Sequence, residues 1–478
     1  MPVGVVYSFG PFQVEAGARR LTREGDLVSI PERHFGVLLQ MLARPAAIVS
    51  KNDLIEAVWQ DVAVTDNSLE QAVSALRRVL GTGPDGQPYI QTVPRQGYRF
   101  TGTVTKLAAR ASDESLDALL APHRAWIEGR AALETLKRDQ ILHARDVFEA
   151  VLREAPDEAS AHVGLANALA LQFEMTRADP APDVAALERA VHHAREACRL
   201  RSGYGEAWAT LGFVLDRVGD HANALAASRR AIALEPDNWR HHFRLAYASW
   251  GEERLRAAHR TLALLPGFPL AHWLAATVYV ARHALDEAER ELLAGIAGEA
   301  GEVGGGSKFS AVALHWLCGL IRLARGDEDE ALAEFERELS NETSGHLYAR
   351  ECCANTWYTI GALRLRQGRR EEARAAFHHA LERVPVHPGA RLGLAAIGSG
   401  EVEPPAGPAR PVDAAMWRAA RLVLAGSQAE ASRLMEEALA AAAEGNGGWL
   451  LPVEPLLHVS AAPAVWAGAL ARLRARAA

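Results

Sequence analysis

Three kinds of side chain in this 478-residue sequence could do chemistry: paired histidines, cysteines and glycine-rich turns. The histidines stand side by side at 192/193, 241/242 and 378/379. Neighbours on a helix point in different directions, and no second pair lies at ligand spacing, so no metal site is expected. Cys198, Cys318, Cys352 and Cys353 form no C-x-x-C, and reduced thiols are the simplest reading. GTGPDG at 81–86 satisfies G-x-G-x-x-G, but it follows a helix and precedes a strand, the reverse of the order a dinucleotide site needs. GGGSK at 304–308 lacks the Gly-Lys-Ser/Thr ending of a phosphate loop. There is no nucleophile elbow or zinc-protease spacing, so neither an enzyme nor a cofactor is expected. What remains is hydrogen-bonding chemistry. Asn67, Gln71, Ser74 and Arg78 fall on one helix face, with Ser68 near its start, Arg77 flanking it and Arg95 at the tip of a hairpin. Asparagine and glutamine can pair with an adenine edge and arginine with guanine, while Arg77 lies within reach of a phosphate.

The elements that position these residues follow from periodicity. Residues 6–30 read as short strands broken at Gly10-Pro11 and at Glu24-Gly25-Asp26. Phe35, Leu38, Leu39 and Leu42 then recur at helical spacing. Ser50-Lys51-Asn52-Asp53 makes a capping box that opens a second helix, with Leu54, Ile55, Val58 and Trp59 as its apolar stripe. A third helix runs from Asp66 to Leu80 and stops at Gly81. Its Leu69, Ala72, Val73, Leu76, Val79 and Leu80 form the inward side. YIQTV and GYRFTG flank Pro94-Arg95-Gln96 as a hairpin.

FGPF, SKNDLIEAVW, VTDNSLEQAVSALRRVLG and YIQTVPRQGYRF, in this order, closely resemble the OmpR/PhoB-type winged-helix family over about residues 5–106. The resemblance implies that the third helix enters the DNA major groove and that the wing, with Arg95, touches the adjacent minor groove or backbone. Relatives belong to phosphorelay pathways, but no receiver domain is read here. Family members often carry extra basic residues in mid-helix, where this sequence has Ala72, Ser74 and Ala75. Residues 1–108 hold 11 Lys/Arg and 10 Asp/Glu, so this segment carries +1 and the remainder −8 of the net −7. With so few cations, weak and salt-sensitive binding by a dimer on tandem sites is expected.

Beyond residue 107 small residues and leucines recur with a long period. In 205–238, Trp208, Leu211, Gly212, Gly219, Ala224, Ala231 and Pro236 occupy positions 4, 7, 8, 15, 20, 27 and 32, which resembles the tetratricopeptide pattern. Six further units share its phase, starting near residues 125, 159, 239, 269, 312 and 354; the one at 239 is shortened and the one at 159 carries an insertion at 179–182. One unit cannot bury its apolar face alone, so the array must stack. The expected architecture is multidomain and mainly α: an α+β winged helix at 1–106, a linker at 107–124 and an all-α superhelical solenoid at 125–397. A Pro/Gly-rich linker at 398–411 and degenerate helices with a cap at 412–478 complete it. Positions 2, 5, 9 and 12 of the first helices supply Phe213, Trp273, Trp316, Leu320, Tyr358, Ala362 and Leu365, a candidate groove for a protein or peptide partner. The alternative for the groove is cover by a tight superhelix or by the C-terminal segment.

No run of apolar residues is long enough to span a bilayer, and the N-terminus lacks the pattern of a secretion signal, so a cytoplasmic protein is expected. Together these features imply a one-component transcription regulator that binds double-stranded DNA. The rival is a repeat scaffold whose winged helix no longer binds DNA; the first loses duplex binding steeply with salt, and the second shows none.

Overall fold

The computed structural model describes residues 5–59, 66–83, 86–108, 113–300, 309–310, 312–398 and 411–478; within these, the side chains of 66–67, 107–108, 113–122 and 299–300 are left aside. The GGGSK loop and most of the Pro/Gly-rich linker lie outside the described residues. Contacts divide the chain into two compact units, Met1–Leu120 and Ala121–Ala478.

The first unit opens with strands β1 (Val5–Phe9), β2 (Phe12–Glu15), β3 (Arg20–Arg23) and β4 (Asp26–Leu27). Helix α1 (Glu32–Leu42), strand β5 (Ile48–Val49), and helices α2 (Lys51–Val58) and α3 (Asp66–Leu80) follow. Strands β6 (Ile90–Val93), β7 (Gly97–Phe100) and β8 (Thr105–Ala108) complete it. The sheets are β4-β3-β2-β1-β8 and β5-β7-β6. Alternation along β1 and β2 buries Val5, Tyr7, Phe9, Phe12 and Val14. Phe9 stacks on Phe12 and meets Phe100 edge-on, the rings 5.4 and 4.9 Å apart. Two strands differ from the sequence reading. β5 is only two residues long, and β8, threonine and lysine followed by Leu107, carries no clear alternation; each forms by pairing, with β7 and β1 respectively.

The second unit is a stack of helix pairs. Helices α4 (Asp113–Glu134) and α5 (Arg138–Glu154), α6 (Ala159–Thr176) and α7 (Val184–Leu200), and α8 (Gly205–Arg217) and α9 (His221–Leu234) form its first part. Then come α10 (Trp239–Ala248) with α11 (Gly251–Leu264), α12 (Pro269–Ala281) with α13 (Leu285–Ala300), α14 (Leu314–Arg325) with α15 (Glu328–Leu339), and α16 (Ala349–Arg366) with α17 (Arg370–Arg383). Helices α18 (Pro388–Ala396), α19 (Pro411–Leu424), α20 (Gln428–Ala441) and α21 (Pro463–Arg476) end the chain.

Close approach within a pair rests on size. Phe377 of α17 lies between Gly361 and Gly393; a Cβ on either would come within 2.6 or 2.2 Å of its ring. Phe148 sits the same way between Gly129 and Gly164. A second device recurs at the fourth position of the units starting at 159, 205 and 239, and again near the start of α18, where a side chain closes the turn leading into its helix. His162 donates to Pro156 O at 2.8 Å, Trp208 to Ser202 O at 2.9 Å, His242 to Pro236 O at 2.8 Å and Arg391 to Pro385 O at 2.8 Å. These bonds satisfy carbonyls left open where a helix ends.

The stack turns back on itself. The loop before α16 reaches the first pair: Leu347 N donates to Leu136 O at 2.8 Å and Arg138 N to Gly345 O at 3.1 Å. At the other end, Arg282 Nε donates to Ala477 O at 2.8 Å, which ties the end of α12 to the last helix. No described helix is long and apolar enough to cross a membrane.

Candidate nucleic-acid interface and solenoid interior

Helix α3 is two-faced. Leu69, Ala72, Val73, Leu76 and Leu80 are buried against α1 and the sheets, and Val79 packs partly buried beside them. Gln71, Ser74 and Arg78 stand exposed on the other side, with Ser68 half-buried; the side chain of Asn67 lies outside those described. Arg77 occupies a different place from the one the sequence suggested. Its Nε donates to Ile90 O at 2.9 Å and its Nη2 to Thr92 Oγ1 at 2.7 Å, while the guanidinium lies 6.0 Å from the Tyr98 ring. It braces α3 against the β6–β7 hairpin, which is positioning work.

The start of the preceding helix is fixed as read: Ser50 Oγ accepts from Asp53 N at 3.1 Å. Lys51 then pairs with Glu70 at 2.8 Å, linking α2 to α3. The hairpin tip carries Arg95, exposed and at φ +63°, in the left-handed region. Beside it Gly97, at φ +139°, lets β5 come close, since a Cβ there would lie 2.1 Å from Val49 O. Arg99, cross-strand from Gln91 and from Ile48, is a cation beside the wing that sequence reasoning passed over; its alternation with apolar neighbours hid it.

The seven residues proposed as a partner groove are not brought together. Leu320, Tyr358 and Ala362 are buried core and Leu365 packs partly buried beside that core, whereas Phe213, Trp273 and Trp316 line a cavity. The reason is a C-terminal cover. Leu451, Leu456 and Leu457 join the core around Tyr358, Val453 joins the one around Leu320, and the Tyr358 hydroxyl donates to the buried Glu454 carboxylate. Burial outweighs the hydrogen bonds from Tyr358 and from Leu456 N and pushes Glu454 up to about 7.

The cavity inside the solenoid has a volume of about 380 Å³. Its polar lining consists chiefly of ion pairs: Arg130 with Glu206 at 3.2 Å, Arg240 with Glu134, and Arg177 with Glu351 at 3.0 Å. Next to it, buried Glu174 is held by Arg177 at 3.1 Å, Arg217 at 3.2 Å and the Tyr348 hydroxyl at 3.1 Å. Burial alone would raise that carboxyl; the two arginines outweigh it and hold it below the ordinary carboxylate value.

The histidine pairs do separate structural work. His162 Nδ1 accepts from His193 Nδ1 at 2.9 Å, and burial beside His162 and His192 lowers His193 to about 4. Among the described residues no three His, Cys, Asp or Glu side chains are grouped to hold a metal. All four cysteines are buried, which pushes Cys198 up to about 11 and Cys318 up to about 12, far from a reactive thiolate.

Comparison with known proteins follows the same two units. Residues 25–100 match the family described as transcriptional regulatory protein, C terminal, and residues 205–238 match the tetratricopeptide repeat. A cholera toxin homolog transcriptional activator of Vibrio parahaemolyticus is 35% identical over 92 residues, 19% of this chain and 32% of that protein. The transcriptional regulator HilA of Salmonella typhimurium is 36% identical over 99 residues, 21% of this chain and 18% of that protein. The matched stretch thus spans about a third or less of these relatives. Among solved structures, the DNA-binding domain of E. coli CadC is 26% identical, with 22% of this chain and 100% of that one covered and a TM-score of 0.20.

Proposed function

We propose that this chain, an OmpR/PhoB-type winged helix joined to tetratricopeptide repeats, is a one-component transcription regulator that reads double-stranded DNA. The observation that carries this reading is the division of α3, whose apolar side is buried while Gln71, Ser74 and Arg78 stay exposed. In this reading α3 lies in the major groove, with Asn67 and Gln71 on adenine, Ser74 between them and Arg78 on guanine. Arg95 meets the adjacent minor groove or backbone. Arg77 holds the wing in register with the helix. The relatives described as a transcriptional activator and a transcriptional regulator, alike over the same stretch, support the class.

With few cations available, affinity comes from two copies on tandem half-sites and falls steeply with salt. The repeats form the arm that meets a protein partner. The protein acts in the cytoplasm and carries out no catalytic step of its own.

The test uses duplexes recovered by genome-wide footprinting of the full chain. Arg78→Ala combined with Arg95→Ala removes two contacts worth about 1–3 kcal/mol each, so a loss of roughly 100-fold is expected in a gel shift with the fold intact by circular dichroism. Unchanged affinity rejects the assigned face. Absence of any duplex binding by the unmodified chain at low salt rejects the regulator in favour of a scaffold.

A further inference from the structure

The solenoid cavity holds one charge that its own walls leave unmatched. Its lining contains four arginines, at 130, 177, 240 and 244, and three glutamates, at 134, 206 and 351. Each glutamate is ion-paired with one of the first three arginines. Arg244 is the remainder. Among the described residues it has no carboxylate within ion-pair distance and one hydrogen bond, from Nη2 to Asn167 Oδ1 at 2.8 Å. Asn167 is itself oriented by donating to Val163 O at 3.0 Å and Thr210 Oγ1 at 2.9 Å, so its oxygen is committed to the guanidinium. The guanidinium lies 3.8 Å from the centre of the Phe213 ring. Burial pulls Arg244 down to about 10, which leaves it cationic at neutral pH and short of compensation.

The geometry points to a binding site in this cavity for a small monoanionic carboxylic acid with an aromatic body. A carboxylate on Arg244 would make charge-assisted hydrogen bonds with donors that now have no protein acceptor. The aromatic body fits what lies around it. Trp239, Phe243 and Phe268 line the same cavity, with Phe268 edge-on to the other two at 5.0 Å each. Such walls favour a flat ring in offset or edge contact. The volume of about 380 Å³ lies within the range of small-molecule sites and excludes a folded partner. A doubly charged group such as phosphate is disfavoured, because only one cation is unmatched and three carboxylates share the wall. The site does not depend on the DNA-binding reading, and its assay contains no DNA.

Titration calorimetry of the full chain with indole-3-propionate, against indole-3-propionamide, tests the assignment. The acid should bind at one equivalent and at least tenfold more tightly than the amide. Arg244→Leu should remove that difference, with Arg244→Lys restoring part of it. Equal binding of acid and amide, or no heat with the acid at millimolar concentration, overturns the proposal. Binding of a peptide ending in tryptophan without binding of the free acid overturns it too, since the cavity would then take a chain terminus. The acid–amide comparison needs no variant, so it decides the matter even if Arg244→Leu fails to fold.

Discussion

Glu454 sets a pH dependence that a single substitution isolates. Its carboxyl titrates near 4.5 when exposed and at about 7 in its buried place beside Tyr358. Below pH 4.5 both folded and unfolded chains hold the proton. Between 4.5 and 7 only the folded chain keeps it, so stability falls as pH rises; above 7 the full cost, on the order of 3 kcal/mol, is present. His193, His346 and His387, each lowered to about 4 by burial, act with the opposite sign over nearly the same window. The difference between the parent and Glu454→Gln should therefore grow from pH 4.5 to 7 in urea unfolding. A difference that stays flat rejects the buried titration. At this scale the sequence was readable where chemistry is local: Gln71, Ser74 and Arg78 stand where helical spacing puts them. It set Arg77 beside that face, within reach of a phosphate, because helical spacing alone does not show that the hairpin takes its guanidinium.

Elements were legible in proportion to their length and period. Helix α3 and the repeat helices announce themselves by a stripe, and the Ser50 cap by its spacing. Strand β5 does not, since two residues carry no alternation and it exists only through its partner β7. Within the solenoid, the glycines that allow close packing make a sharp prediction. Gly361→Ala places a methyl group against the Phe377 ring and should cost about 1–3 kcal/mol in denaturant unfolding. Adding Phe377→Leu should lessen the penalty of the alanine, a coupling that a double-mutant cycle reads directly. Strict additivity would mean that the ring and the glycine do not constrain each other.

Across the whole solenoid, the turn of the stack on itself was beyond a repeat-by-repeat reading. Spacing placed Tyr358, Leu320 and Leu365 on a shared face, but cover by residues 451–457 depends on contacts nearly a hundred positions away. The Arg177 bridge to Glu351 joins parts of the chain still farther apart, 174 positions. Arg177→Met should cost about 3 kcal/mol, because it strands Glu351 and leaves buried Glu174 with less compensation. Unfolding at the parent's urea midpoint would show that this bridge adds nothing. An open array can lose its end units one at a time. Here the loop between α4 and α5 is hydrogen-bonded to residues 345 and 347, so the earliest unit cannot fray without tearing a seam. During synthesis the same seam imposes a delay: the N-terminal unit has all its strands once residue 108 has left the ribosome, while the first helical pair must wait for some two hundred more residues before its own loop can find its partner.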